Sequence, residues 1–568
     1  MSLSSALILL VCLVCGGIQS TLAAQPAAAN QPDLPGMPAA PTEAELRERV
    51  KFWMKKLNYA AHGQETDLVR KNLTALGKPA VPLIIDAAQS EFRNQALPFH
   101  LWNVCLVLGG MADDRAVPYL LKRFEAVPER DLKQRPDWNY VRAFSALALG
   151  RIPDQAMTAA GPMRATLSDE KEPHYVRRTA ALGLGALLDE KSIGAMDKML
   201  MDAHSPAIMR GGMALALGMI RGEAASQKLV AYLEQDIKAR EPFTDRMAVH
   251  ALGMQRYEKA VPVLRKLLGE EDGHLKGSVA LVLGWIGNRD AAADVQKVMD
   301  HEKEPPFTRC NAAVALNGLG QPEKGAEFLR HALQLDEKTV EVGTLAYVAV
   351  ALGEFSGDEN LKELCATIDT TKYPVVALNA LNALGHRKDT RSVPFLIGKY
   401  MHYEGASNQY LRGEVVRALL AHAPQESIRA LLHKGLKDQS NYVQGKCAVA
   451  LARYPGTDTE RALFEALKDK AYEVRGEAAL TLGVLKCAVA VEALRGMLKD
   501  ESDWVRLRAR RALENIVKFG KNEFQQSAGM RELIEKRVKA VGASLSEEMD
   551  RLHAEGYQRI LELDRPGK

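Results

Sequence analysis

One pattern returns along this chain about every 34 residues, and no other feature restricts its fold as tightly. Taking the residue after each "AL" or "LxL" as a marker gives fourteen positions. They run from Gly77, Gly109 and Gly150 through Gly185, Gly218, Gly253 and Gly284 to Gly483 and Glu514. The steps vary from 31 to 41 residues, the longest lying between Gly109 and Gly150. Before each marker stands an Ala-rich apolar run such as "VRRTAALGLG"; after it comes a short polar link and a second run such as "AVPVLRKLL". Pro82, Pro118, Pro262 and Pro394 fall near the start of that second run. Pro fits a first helical turn, where its missing N–H would have no partner. Gly at the marker suits a helix end or a close approach of two helices. No stretch alternates with the period of a strand. A two-helix unit cannot bury its apolar face alone, so neighbours must stack. The expected fold is all-α: a right-handed α-solenoid of about fourteen two-helix repeats. Stacking also explains how 568 residues escape the limit of roughly 250–300 residues for a single core.

The combination "VRxxAAxALG…AVPxL…LxD" resembles the short HEAT-like repeat of the phycobilisome lyases, over residues 65–517. Neither "WxxLGxxY" nor "TPLHxA" recurs, which sets aside the similarly sized TPR and ankyrin repeats. Eight residues before successive markers stand Arg142, Arg177, Arg210, Lys276, Arg309, Arg475 and Arg506, with Arg70, Arg246 and Arg412 one place off. Asp169, Asp202, Asp300, Asp469 and Asp500 precede members of this set by six to nine residues. Catalysis needs one converging constellation, whereas this pair is laid out along the whole array. The resemblance implies that such Asp and Arg residues bridge adjacent repeats, since partly buried charges require pairing. Arg142, Arg177, Arg210, Arg309, Arg475 and Arg506, with Asp469 and Asp500, are therefore expected to form a structural ladder.

Outside the array the composition changes. Residues 1–24 carry no charge, and Ala6 to Ile18 is an unbroken run of apolar residues and Gly. That run is short for a membrane span and fits the apolar core of a secretory signal, with a cleavage point near Ala23 or Ala24. An uncleaved anchor is the alternative. Residues 25–41 hold five Pro and read as a flexible linker. The repeats are placed over 42–517, opening on the capping-box pattern Thr42–Glu45. Residues 518–568 read as two charged amphipathic helices that cap the last repeat or dock on a partner.

Local chemistry is sparse. GxSxG, P-loop, HExxH and EF-hand spacings are missing from the sequence. HEAT-like proteins include an iron-dependent deoxyhypusine hydroxylase that takes its metal ligands from repeated His-Glu dipeptides. Here His301-Glu302 is the one such dipeptide, and His402-Tyr403-Glu404 and His553-Ala554-Glu555 have different spacing. Five Cys beyond the first 24 residues (Cys105, Cys310, Cys365, Cys447 and Cys487) lie far apart, several amid Ala and Val as core hydrophobes would. No catalytic, cofactor-binding or metal-binding residue is assigned, and no cofactor is expected. Two stretches break the pattern and are singled out for partner binding. One is Trp138, at the end of "VPERDLKQRPDW"; the other is the basic end at Arg508, Arg510 and Arg511.

Lys and Arg number 75 against 71 Asp and Glu, a net +4. That balance argues against nucleic acid as the partner. The sequence thus reads as an exported, periplasmic or extracellular, non-enzymatic scaffold that binds protein partners on an extended concave surface. The alternatives are an enzyme or enzyme subunit resembling the bilin lyases, holding a tetrapyrrole, and a metal-dependent HEAT-repeat hydroxylase.

Overall fold

The computed structural model describes residues 43–524, apart from 60–63, 75, 91–97, 126–135, 153–155, 237–239, 271, 336–339 and 404. Among the described residues there are helices and turns and no strand. The fold is an all-α solenoid of two-helix repeats. Its residues divide into two compact units, Pro41–Ala423 and the stretch from Pro424 onward.

In the first unit the helix Glu43–Tyr59 precedes the array, beginning one residue after the expected cap at Thr42. Each repeat then pairs a first helix ending near a marker with a shorter second helix. Four successive first helices form the middle of this unit: His174–Ala186, Ala207–Ile220, Pro242–Gln255 and Gly273–Ile286. Their second helices include Ile193–Met201, Glu223–Leu233 and Val261–Leu267. The second unit repeats the scheme with first helices Asn441–Ala450, Tyr472–Val484 and Asp503–Phe524. The last of these runs through Lys518, past the expected end of the array at 517. The proposed tail beyond Phe524 lies outside the described residues, as do the signal and the linker.

The marker glycines are close-approach residues. A Cβ on Gly185 would fall 2.7 Å from the Ala216 carbonyl oxygen, and one on Gly284 would fall 2.7 Å from Ala315 Cα. In each case the contact is an Ala two residues before the next marker, so Gly and Ala together let consecutive first helices touch backbone to backbone. The helix ends come later. The left-handed residue that stops the first helix stands three places beyond the marker, as at Leu188, Arg221, Arg256, Lys388 and Lys486. Of the two roles open to these glycines, packing is the one they play. Pro82, Pro118, Pro262 and Pro394 sit second in their helices, each behind a single 3-10 turn.

Most consecutive first helices pack closely along their length, the pair Pro306–Gly318 and Val342–Leu352 excepted, whereas consecutive second helices scarcely meet. Within each unit the first helices therefore line the tighter, inner face. Between the second helices Glu426–Gly435 and Thr457–Ala466 the splay leaves an open groove of about 580 Å³. Its walls carry both signs of charge, including Arg429, Asp458, Arg461 and Glu465.

Candidate binding face and the charge rungs

Four rungs of the Arg ladder cap helix ends, and Arg475 and Arg506 hold carbonyls of the links. Nε of Arg177 donates to the Leu167 carbonyl at 3.0 Å, and Nε of Arg210 to Leu200 at 2.9 Å. Nε of Arg309 donates to Met299 at 2.7 Å and Nε of Arg142 to Phe124 at 2.9 Å. Each acceptor is the next-to-last residue of the preceding second helix. A helix ends with carbonyls that have no partner within it, and a cation there also meets the negative end of the helix dipole. Arg142, Arg177 and Arg210 are buried while doing this.

Of the ladder Asp residues, Asp500 bridges adjacent repeats as expected, whereas Asp169, Asp202 and Asp469 do not. Asp169, Asp202, Asp469 and Asp500 each accept the backbone N–H two residues on, at 2.8–3.0 Å, and so shape the link between helices. Where a carboxylate meets a ladder cation across repeats, it comes from the link of the following repeat. Glu172 takes both terminal nitrogens of Arg142 at 2.6 Å, Glu304 pairs with Lys276, and Asp500 takes Arg475. Arg475 meets Asp469 only through the backbone, donating Nη1 to its carbonyl at 3.0 Å. Sequence spacing suggested the nearer acid; the link geometry brings in the next one.

One rung is reversed. Asp245 occupies the ladder position before Gly253, and Arg240 supplies the cation from the preceding link, 3.2 Å from Asp245 and 2.5 Å from Glu270. Tyr232 donates its hydroxyl to Asp245 at 2.8 Å. Arg246, placed in the ladder by its neighbourhood, instead stands half-buried on the inner face.

Beside the ladder runs an exposed edge of large apolar side chains, mostly aromatic, that sequence reasoning missed. In "NYVR", "AIMR", "FTR" and "QYLR" the residue two before the Arg is exposed in the first helical turn: Tyr140, Ile208, Phe307 and Tyr410. Tyr140 packs on its counterpart Tyr175, ring centroids 5.3 Å apart. In the second unit Tyr442 and Tyr472 stand at the corresponding turn, and Trp504 lies against Gly476. The signal was present in the recurring Tyr-Val-Arg triplets, one residue outside the Val-Arg pair.

The two singled-out stretches resolve differently. Trp138 is half-buried in the first turn of the helix Pro136–Leu149, which Pro136 opens, so it is helical and not the tip of a loop. At the basic end, Arg508 donates to Glu477 at 3.0 Å and stacks over Trp504 at 4.2 Å. Arg506 donates to the Glu501 carbonyl, and Arg510 and Arg511 are exposed. The patch is thus smaller than the sequence suggested.

Catalytic and metal chemistry finds little to build on. His301 and Glu302 are exposed in a link, His301 serving as the C-cap of the helix Ala292–Asp300. Among the described residues no three His, Cys, Asp or Glu side chains gather as a metal site would need. Cys105, Cys310, Cys447 and Cys487 are buried, Cys365 is half-buried, and none of the five forms a disulfide among the described residues. Burial pushes the Cys105 thiol up to about 11, which leaves it inert as a nucleophile. No described helix is long and apolar enough to cross a membrane.

The stacked helix pairs place this chain among α-solenoids of HEAT-like repeats. Residues 237–307 and 429–514 match the family model for HEAT repeats. The chain is similar to a deoxyhypusine hydroxylase of Phaeosphaeria nodorum, 26% identical over 245 residues, covering 37% of this chain and 73% of that protein. It is also similar to deoxyhypusine hydroxylase-B of Oryza sativa subsp. japonica, 27% identical over 38% of this chain and 80% of that one. Among solved structures, the complex of CpcE and CpcF of phycocyanin lyase from Nostoc aligns at 18% identity and a TM-score of 0.28. That alignment covers 48% of this chain and 92% of that one, and it is too slight to bear on function.

Proposed function

We propose that this chain is a HEAT-repeat binding protein that holds a segment of a protein partner along the inner face of its first helices. The exposed aromatic edge carries the reading. Large apolar side chains normally lie inside, and a row of them in one register across successive repeats is the mark of a contact surface. Export is part of the proposal and rests on the apolar run Ala6–Ile18. A pull-down from the native envelope should recover a reproducible protein partner, and cell fractionation should find the chain outside the cytoplasm. Repeated recovery of nothing, or a cytoplasmic chain, would count against it.

The curated relatives favour a second reading, a metal-dependent hydroxylase, over this one. The residues present do not fit it. Paired His-Glu dipeptides are the donor set that reading needs, and this sequence has one, on an exposed link. Imidazole and carboxylate donors must converge to hold iron. Elemental analysis of the purified chain decides between the two: stoichiometric iron would establish the hydroxylase reading and end the binding one. A bound coloured chromophore would do the same for the lyase-like alternative.

A further inference from the structure

The inner face between Tyr140 and Trp285 carries cations without acids. Its exposed and half-exposed positions recur three or four residues apart on successive first helices. They hold apolar residues such as Ile208, Leu215 and Met219, together with Arg178 and Arg246. Among the described residues no Asp or Glu occupies this stripe. Glu241 and Asp272, acids of the adjoining links, are spent at helix starts, accepting the N–H groups of Phe243 and Thr244 and of His274 and Leu275.

Several buried guanidinium groups of this protein meet a carboxylate, as at Arg142, Arg240 and Arg475, and others, such as Arg177 and Arg210, cap helix carbonyls. Arg178 and Arg246 pair with no carboxylate among the described residues, and Nε of Arg178 is buried with no hydrogen-bond partner there. Burial also draws the Arg178 guanidinium below its ordinary pKa. The floor between them is built to receive side chains. Gly211 and Gly212 stand together inside the Ala207 helix, where Gly weakens a helix. A Cβ on Gly212 would fall 2.7 Å from Arg178 Cδ, and one on Gly211 would fall 2.5 Å from the ring of Phe243. The glycine pair is a trough into which Arg178 lies from one side and Phe243 from the other.

We infer that this face binds an acidic, apolar polypeptide segment in extended form, its carboxylates received by Arg178 and Arg246 and its apolar side chains by the stripe between them. The inference rests on the binding reading and adds the partner's chemistry. The two arginines stand two helix spacings apart, roughly 16–20 Å. An extended chain crosses that distance in about five or six residues. Arg178 and Arg246, set apart on a mainly apolar surface, suit a few carboxylates far better than the continuous phosphates of a nucleic acid.

The test uses the purified full chain and three fluorescein-labelled probes followed by anisotropy. They are a peptide alternating Glu and Phe, its Lys and Phe counterpart, and an oligothymidylate. The acidic peptide should bind, more weakly as salt rises, and the other two should not. Arg178→Glu with Arg246→Glu should weaken acidic-peptide binding at least about tenfold. Arg178→Gln with Arg246→Gln should weaken it in the same direction while keeping side-chain size, with circular dichroism showing the fold intact. Gly212→Ala, which displaces Arg178, should weaken it as well. Equal binding of acidic and basic peptides, preference for the oligonucleotide, or wild-type affinity in the folded double variants would overturn the inference. A partner recovered equally by wild-type chain and double variant would overturn this site while leaving the binding reading standing.

Discussion

The guanidinium of Arg475 holds both carboxylate oxygens of Asp500 at 2.9 Å, across the junction between two repeats. The same guanidinium closes on the backbone carbonyls of Asp469 and Lys470 within its own repeat. One side chain thereby ties a link, a helix start and the following link together. Both partners are largely buried, their side chains 11% and 12% exposed.

Removing one partner of such a pair leaves the other charge desolvated and alone. Arg475→Ala is expected to cost about 3 kcal/mol. Because repeat arrays lose structure locally, hydrogen exchange should show the Tyr472 helix opening first. Binding of a partner at the inner face of the first unit should be unchanged. Loss of binding at wild-type stability would show the rung to be a site.

The same rung sets a pH dependence. The hydrogen bonds from Arg475 hold the Asp500 carboxyl below the ordinary carboxylate range. A carboxyl with a depressed folded pKa contributes stability that is complete above its unfolded value and is lost as pH falls through the folded one. Thermal melts of wild type and Asp500→Asn should differ at neutral pH and converge under acid. A gap that stayed constant down to low pH would contradict the pairing.

Glycine roles can be separated by a matched pair of substitutions. Gly185→Ala places a methyl against the Ala216 backbone and should destabilise by about 1–3 kcal/mol through overpacking. Gly161 lies in the helix Ala160–Ser168 with nothing within 4 Å of a built Cβ. Gly161→Ala should therefore stabilise by about 0.5–1 kcal/mol. Chemical denaturation of the two variants reads the difference, and equal effects would refute the close-approach account.

The reversed rung offers a test of specificity against stability. Asp245→Ala removes one of the two carboxylates that hold Arg240, whose side chain is 1% exposed, and should cost about 3 kcal/mol. Replacing Arg240, Asp245 and Glu270 together with apolar residues of similar volume should recover most of that loss. A triple variant as unstable as the single one would mean that packing, and not the weakened charge cluster, sets the cost.

The repeat period, the all-helical class and the two-helix unit were legible in the sequence because they rest on local regularities: apolar residues at helical spacing, Pro in first turns, Gly and Ala at one register. Each unit states the same rule, so errors in any one are corrected by the rest. The partners of the ladder were not legible. Asp469 lies six residues from Arg475 and Asp500 lies 25, yet the carboxylate contact goes to the distant one, because the link turns Asp469 onto its own backbone. Nor does spacing reveal that Gly212 makes room for Arg178, since that contact joins neighbouring helices. What the sequence by itself determined is the unit and its repetition. What only the tertiary structure decided is which charges are spent on holding units together and which, like Arg178 and Arg246, stand unpaired on the inner face. Pairing depends on distances between side chains of different repeats, and those exist only once the helices have stacked.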